Sequence, residues 1–113
     1  MKKLISYQDF IKVDIRIGTI ISINYFSKAK KPAYQITIDF GSIIGIKKTS
    51  AQITSLYSKE ELLNKQVLAV INFKPKQIAN FMSECLILGV HQNKNDVVLL
   101  KSNYKIDNGN KIG

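Results

Sequence analysis

Alternation of apolar and polar residues marks two long segments in the first half of the chain. From Asp14 to Asn24, one face of an extended chain would carry four isoleucines: Ile15, Ile17, Ile21 and Ile23. From Tyr34 to Phe40, the same two-residue period places four residues on one face: Tyr34, Ile36, Ile38 and Phe40. A period of two is typical of a β-strand with one buried face, so both segments are predicted to be strands. Between them, three lysines and a proline at 27–32 indicate an exposed connection.

Glycines and capping residues indicate where the shorter elements begin and end. Gly41 and Gly45 flank a predicted turn, and the segment from Ile44 to Thr49 is predicted to be a third strand. Ser6 and Ser58 each precede an acidic residue by three positions, which is the capping-box pattern that satisfies the first amides of a helix. These boxes predict two short helices: Tyr7 to Lys12 and Lys59 to Asn64.

Three segments in the second half are almost continuously apolar: Val67 to Phe73, Cys85 to Val90, and Val97 to Leu100. Their length and their content of Val, Ile and Leu predict strands that are apolar on both faces. The short helices cannot cover a second face, so we expect another copy of the chain to cover it. The pattern therefore predicts a homodimer.

The order of the predicted elements indicates the fold class. Five or six strands with one small helix between the third and fourth are typical of an all-β, five-stranded Greek-key barrel of the oligonucleotide/oligosaccharide-binding (OB) type. We expect short helices around this barrel, together with N- and C-terminal extensions, the latter ordered after a turn signal at 107–110. A length of 113 residues predicts one domain, residues 1–113.

Basic residues outnumber acidic ones by 17 to 8, which gives a formal net charge of +9 and a pI near 9.7. Such an excess favours a polyanionic partner; the alternative is a basic protein whose lysines reflect a biased genome composition. The lysines form three clusters: Lys28, Lys30 and Lys31; Lys47 and Lys48; and Lys74 and Lys76 around Pro75. On a barrel, loops distant in sequence can border one groove, where lysines neutralise phosphates; solvated surface lysines are the alternative.

Aromatic residues that could stack on bases are few near these clusters. The nearest candidates are Tyr25, Phe26 and Phe81. Proteins that bind single strands by stacking need exposed aromatic side chains. Their scarcity favours recognition of the shape of a nucleic-acid backbone.

Residues that could carry catalysis or bind a metal are scarce. Cys85 is the single cysteine and His91 the single histidine, which excludes a disulfide within the chain and a Cys/His metal site. No nucleophile motif surrounds either residue, so Cys85 is predicted to be a core residue and His91 a surface residue. No apolar run reaches the ~20 residues that span a bilayer, and no signal-peptide pattern follows Met1. We expect a cytoplasmic protein that is not an enzyme, uses no cofactor and does not insert into a membrane.

Three stretches, taken in order and spacing, resemble the tRNA-binding domain family: Asp9 to Ile20, Ile44 to Thr54, and Asn72 to Gly89. Together they cover nearly the whole chain. The resemblance implies an OB barrel, a homodimer with two symmetry-related grooves, tRNA binding and no catalysis. The second stretch is most similar to small stand-alone members of the family, which implies an export-related chaperone activity towards preproteins.

Five residues match the family segment that borders the nucleic-acid groove: Asn72, Pro75, Lys76, Ser83 and Glu84. The resemblance implies that Lys76 meets phosphate and that Ser83 and Glu84 hydrogen-bond to a base edge or a ribose hydroxyl. A tight turn held by side-chain caps is the alternative role of Ser83. The chain departs from the family pattern at three positions: Asn80, Met82 and Cys85.

Two ligands are expected on the same basic surface, tRNA and unfolded or export-bound polypeptide. The polypeptide would be held by apolar contacts and by main-chain pairing at a strand edge. Two other functions remain open at this point. One is a chaperone that binds only peptides, and the other is an interaction module that docks onto a synthetase.

Overall fold

The computed structural model describes residues 1–93 and 96–113. Two short helices and ten strands follow one another along the chain. Their bounds are α1 Tyr7–Phe10, β1 Ile15–Tyr25, β2 Tyr34–Asp39, β3 Ile46–Ala51, α2 Lys59–Leu62, β4 Gln66–Val70, β5 Lys76–Ile78, β6 Phe81–Ser83, β7 Leu86–Ile87, β8 Gly89–Asn93, β9 Asp96–Leu99 and β10 Lys111–Ile112.

Five antiparallel strands form the barrel sheet in the order β3-β2-β1-β4-β7, and β10 also pairs with β1. The remaining strands form two hairpins, β5–β6 and β8–β9. This confirms the predicted all-β barrel, with α2 between the third and fourth strands. The C-terminal extension returns to β1, where the amide of Gly109 donates to the Ile17 carbonyl at 2.8 Å.

The predicted strand from Cys85 to Val90 is divided in two. Residues of β7 complete the barrel beside β4, and β8 then leaves the barrel to pair with β9. The division falls next to Gly89, where an added Cβ would lie 2.5 Å from Val97 Cγ1. Close packing of the two hairpin strands therefore depends on the absence of a side chain at this position.

The prediction that Ile15, Ile17, Ile21 and Ile23 share one face is wrong. A β-bulge lies between Ile20 and Ser22, so the alternation shifts by one residue within β1. Ile20 is fully buried opposite Ile38, whereas 41% of Ile21 is exposed. Gly18 also faces the core, because a Cβ there would lie 2.5 Å from Ile38 Cγ2.

The core fills the barrel interior and includes the predicted face of β2. Its buried members are Ile20, Tyr34, Ile36, Ile38, Phe40, Ile53, Leu62, Val67, Ala69 and Cys85. Leu62 comes from α2, so this helix closes one end of the barrel by inserting a leucine. The prediction that Cys85 is a core residue is confirmed.

Both capping boxes are present, but the helices end earlier than predicted. The Ser6 and Ser58 hydroxyls accept hydrogen bonds from the amides of Asp9 and Glu61 at 3.1 and 3.2 Å. α1 ends at Phe10, and α2 is followed by Asn64 with a φ of 66°, a left-handed conformation that stops a helix. Neither helix in the described ranges is long and apolar enough to cross a membrane.

Candidate nucleic-acid interface

The β5–β6 hairpin lies against the loop between β1 and β2. Phe26, at the start of that loop, and Phe81, on β6, have ring centroids 5.5 Å apart. Phe26 is buried, so this contact is part of a small apolar cluster. The contact brings the loop that carries Lys28, Lys30 and Lys31 next to the hairpin that begins at Lys76.

The same hairpin is fastened on its other side to β3. The hydroxyls of Thr49 and Ser83 are 3.1 Å apart, and Ser83 Oγ accepts from the Ser50 amide at 3.2 Å. The amide of Glu84 donates to the Lys48 carbonyl at 2.7 Å, while its carboxylate accepts from the Lys48 amide at 2.9 Å. We call this set of contacts the seam, because it joins β3 to residues 83–85 where no strand ladder does so.

Thr49 is the buried polar residue at the centre of the seam. Its hydroxyl also donates to the Cys85 carbonyl at 2.7 Å, and only 1% of the residue is exposed. A buried hydroxyl stabilises a structure only when it is hydrogen-bonded, and this one lies within hydrogen-bond distance of Ser83 Oγ and of the Cys85 and Ser50 carbonyls. The seam is therefore a satisfied polar contact that fixes the hairpin relative to β3.

The Phe26–Phe81 contact and the seam join the elements that carry the three predicted lysine clusters: the β1–β2 loop, β3 and the β5–β6 hairpin with the loop before it. Lys47 and Lys48 are consecutive on β3, so their side chains point to opposite faces of this strand. We call the lysines of the three clusters together the lysine surface: Lys28, Lys30, Lys31, Lys47, Lys48, Lys74 and Lys76. Six of these side chains are exposed and Lys47 is half-buried. The two ion pairs among the described residues lie elsewhere, between Lys12 and Asp9 and between Arg16 and Asp14. None of the seven lysines forms an ion pair with a carboxylate of a described residue, and the carboxylate of the seam, that of Glu84, binds the Lys48 backbone amide.

The polar residues assigned by resemblance have structural partners. Asn72 accepts from the Asp14 amide at 2.9 Å and donates to the Lys12 carbonyl at 2.7 Å, so it ties the end of β4 to the segment before β1. Ser83 and Glu84 belong to the seam. Pro75 is exposed in the loop between β4 and β5. Asn72, Ser83 and Glu84 therefore fix the positions of the strands and loops that carry the neighbouring lysines.

Of the three aromatic residues picked out in the sequence, only Tyr25 is exposed. Phe26 is buried and packs on Phe81, so it cannot stack on a base. Tyr25 is exposed, with the Lys59 ammonium 5.3 Å from its ring centroid. The residue that sequence reasoning missed is Phe73, which is 57% exposed directly before Lys74. Its position in a polar loop, after the buried strand β4, is the signal that could have identified it.

Neither Cys85 nor His91 has the surroundings of a nucleophile or a metal ligand. Burial raises the pKa of the Cys85 thiol to about 11, so the thiol is protonated at neutral pH and is a poor nucleophile. His91 is exposed on β8, as predicted, outside the lysine surface. Among residues 1–93 and 96–113, no three His, Cys, Asp or Glu side chains are grouped to hold a metal ion.

Comparison with known proteins identifies the family of this chain. A sequence profile described as "Putative tRNA binding domain" matches residues 15–111. The chain belongs to the tRNA-binding domain family. The methionine–tRNA ligase of Nanoarchaeum equitans (strain Kin4-M) is 36% identical over 109 residues, which cover 96% of this chain and 14% of the ligase. The ligase of Pyrococcus horikoshii is 32% identical over 108 residues, with the same coverage of both. This tRNA-binding domain thus spans 14% of the length of either ligase.

Two solved structures match this tRNA-binding domain over their full length. The chaperone CsaA of Bacillus anthracis str. Ames is 44% identical, with a TM-score of 0.94 and coverage of 98% of this chain and 100% of the other. The CsaA chaperone of Picrophilus torridus is 51% identical, with a TM-score of 0.91 and coverage of 97% and 100%. Both are similar to this chain in fold and in size, and both are described as chaperones. The ligases match through the tRNA-binding domain alone.

Proposed function

We propose that this chain is a cytoplasmic, homodimeric chaperone of CsaA type that binds tRNA and unfolded or export-bound polypeptide on the lysine surface and catalyses no reaction. The observation that carries the proposal is the joining of three lysine clusters, distant in sequence, by the Phe26–Phe81 contact and the seam. Family membership and the two CsaA structures support the same role.

The lysine surface suits the backbone of a folded RNA. Six exposed lysines that form no ion pair with a described carboxylate can approach phosphates and release bound counterions, which provides affinity without base recognition. Phe73 offers one exposed ring for an unstacked base or ribose beside Lys74. Ser83 and Glu84 contribute by fixing the β5–β6 hairpin, and their backbone and remaining acceptor positions border the same region.

Unfolded polypeptide can use this surface because apolar side chains lie among the lysines. Ile46 on β3, Phe73 in the β4–β5 loop and Met82 on β6 are all about half exposed. Exposed apolar groups next to cations suit an extended segment that carries both apolar and acidic residues. Since both ligands use one surface, polypeptide and tRNA should compete.

The homodimer is supported by an apolar face on the β8–β9 hairpin. Val90 pairs with Val98 across the hairpin, and the Leu100 amide donates to the Leu88 carbonyl, which puts these residues on one side. Val97 and Leu99 point to the other side and pack against the core. The outward residues form what we call the hairpin stripe: Val90, Val98 and Leu100, which are 53%, 39% and 37% exposed.

The test of RNA binding is a titration of bulk tRNA at several salt concentrations, followed by fluorescence anisotropy. The Lys30→Glu plus Lys31→Glu variant should bind more weakly, and the slope of log affinity against log salt should fall by about 1.5, since each phosphate contact contributes roughly 0.7–0.9. The Lys101→Glu plus Lys105→Glu variant has the same net charge but changes exposed residues after β9, so its slope should stay near the wild-type value. Equal effects of the two pairs would contradict the assignment.

The test of polypeptide binding adds an unfolded, preprotein-like polypeptide to the tRNA complex. Release of tRNA as the polypeptide binds would support a shared surface. If the slope of log tRNA affinity against log salt stays near one at all polypeptide concentrations while the polypeptide binds firmly, the protein is a chaperone that binds only peptides. Binding of both ligands without mutual displacement would place polypeptide on another face.

A further inference from the structure

A groove of about 610 Å³ lies behind the loop between β1 and β2. Three parts of the chain form its walls: the loop itself, the segment that follows β3, and the β8–β9 hairpin. Its lining residues are Lys31, Pro32, Gln52, Thr54, Ser55, His91 and Val97. Lys31 also belongs to the lysine surface, so the groove opens directly from the proposed RNA-binding region.

Four side chains in this groove make no hydrogen bond or ion pair with another described residue: Lys31, Gln52, Thr54 and His91. Each can donate a hydrogen bond, and together they face one concave space. Binding sites for polar ligands typically contain several such hydrogen-bonding side chains, which come from different elements and converge on one concavity. Ser55 differs, because its hydroxyl donates to an Asp96 carboxylate oxygen at 3.0 Å.

The charges around the groove favour an anion. Lys31 is exposed and contributes a full positive charge, and His91 adds a second when it is protonated. Asp96 is the carboxylate on the neighbouring strand, and it is held by the Ser55 hydroxyl and by the Asn93 amide at 3.4 Å. Because its oxygens already accept hydrogen bonds, Asp96 opposes an anion less than a free carboxylate would.

We infer that this groove binds one phosphate and its ribose from an RNA strand that crosses the lysine surface. Lys31 and His91 contact the phosphate, while Gln52 and Thr54 hydrogen-bond to the ribose hydroxyls. The inference rests on the proposed RNA binding and extends that surface from the β1–β2 loop to β8. It also assigns a role to the single histidine of the chain, which the lysine surface does not use.

The groove makes RNA affinity depend on pH in a defined direction. A histidine side chain ordinarily takes up a proton near pH 6.5, and a phosphate beside it stabilises the protonated form. RNA should therefore bind more tightly at pH 6 than at pH 8. The lysines add no such dependence, because they stay charged over this range.

The first experiment measures tRNA affinity at pH 6 and pH 8 for the wild type, His91→Gln and Thr54→Val. His91→Gln should weaken binding about fivefold at pH 6, the upper end for an exposed ion pair, and should have little effect at pH 8. Thr54→Val keeps the side-chain volume and should weaken binding about threefold at both pH values. Gln92→Ala, an exposed neighbour on β8 outside the groove, should change neither.

A second experiment follows the imidazole directly. Because the chain has one histidine, its ring protons give a single, unambiguous pair of NMR signals. Saturating tRNA should shift these signals and raise the pH at which they titrate. If tRNA binds with a steep salt dependence but leaves the imidazole titration unchanged, the groove assignment is wrong and the proposed function stands. If the wild type does not bind tRNA at all, the proposed function itself fails.

Discussion

At the scale of single residues, the seam shows how a few polar side chains can replace a strand ladder. Thr49 reaches Ser83 and the Cys85 carbonyl, and the Glu84 carboxylate binds the Lys48 amide. Each bond alone is a modest contribution to stability, but all of them cross the same gap between β3 and residues 83–85. The lysines of β3 and of the β5–β6 hairpin therefore keep a fixed relation to each other.

Replacing Thr49 by valine tests this role. The change keeps the shape of the side chain but leaves the Cys85 carbonyl and the Ser83 hydroxyl with one partner fewer, so the free energy of unfolding should fall by about 1–3 kcal/mol. Urea unfolding followed by circular dichroism measures the loss. Thr37→Val is the matched control on β2, where the residue is half-buried and makes no side-chain hydrogen bond to a described residue, and it should cost under about 0.5 kcal/mol.

The exposure of most lysines could be predicted from the sequence, whereas the contacts between distant residues could not. The lysine clusters could be identified because charged side chains remain in water. The seam could not be predicted, because Thr49 lies 34 residues from Ser83 and 36 from Cys85. The hydroxyls of Thr49 and Ser83 are equally consistent with solvent-exposed strands. Phe26 was misassigned for the same reason, since its partner Phe81 is on another element.

At the scale of elements, local signals decided the helices and long-range packing decided the strands. The two capping boxes predicted both helix starts because the bonds involved span three residues. The bulge in β1 has no such signal: Ile20 and Ile21 are chemically alike, and only pairing with Ile38 selects which one is buried. The division of the strand after Cys85 likewise depends on the packing of Gly89 against β9.

The capping box of α2 gives a test at this scale. Ser58→Ala removes the acceptor for the Glu61 amide and should lower the free energy of unfolding by about 1 kcal/mol. Ser27→Ala, at an exposed loop position with no described side-chain bond, should leave it unchanged. Urea unfolding at pH 7 compares the two variants, and an equal loss in both would show that the cap does not stabilise α2.

The same box makes stability depend on pH. The Ser58 amide, followed by the Ser58 hydroxyl, lowers the pKa of the Glu61 carboxyl. A lowered pKa in the folded state means that the charged carboxylate favours folding above its ordinary pKa, and that this contribution is lost as the pH falls through the lowered value. Between about pH 5 and pH 3, wild-type stability should therefore fall more steeply than that of Glu61→Gln.

At the scale of the whole molecule, two parts of the surface have different proposed partners: RNA for the lysine surface and a second copy of the chain for the hairpin stripe. The barrel interior takes the aliphatic residues of β1, β2 and β4, and the lysine surface borders one side of it. The apolar runs of the second half exceed what this interior can hold, so part of β8 and β9 remains exposed as the hairpin stripe. Two copies of a strongly basic protein repel each other where their lysines meet. A contact between copies is therefore favoured at an apolar face such as the hairpin stripe.

The hairpin stripe therefore predicts the assembly state and how to disrupt it. In sedimentation at micromolar concentration, the wild type should have twice the chain mass of 12.8 kDa, and Val98→Lys should have the single mass with an unchanged circular dichroism spectrum. Leu56→Lys adds the same charge at a residue of similar exposure in the turn after β3, and should remain a dimer. A wild type that sediments at 12.8 kDa would contradict the homodimer, whereas a dimer that survives Val98→Lys and is broken by Leu56→Lys would move its interface away from β8 and β9.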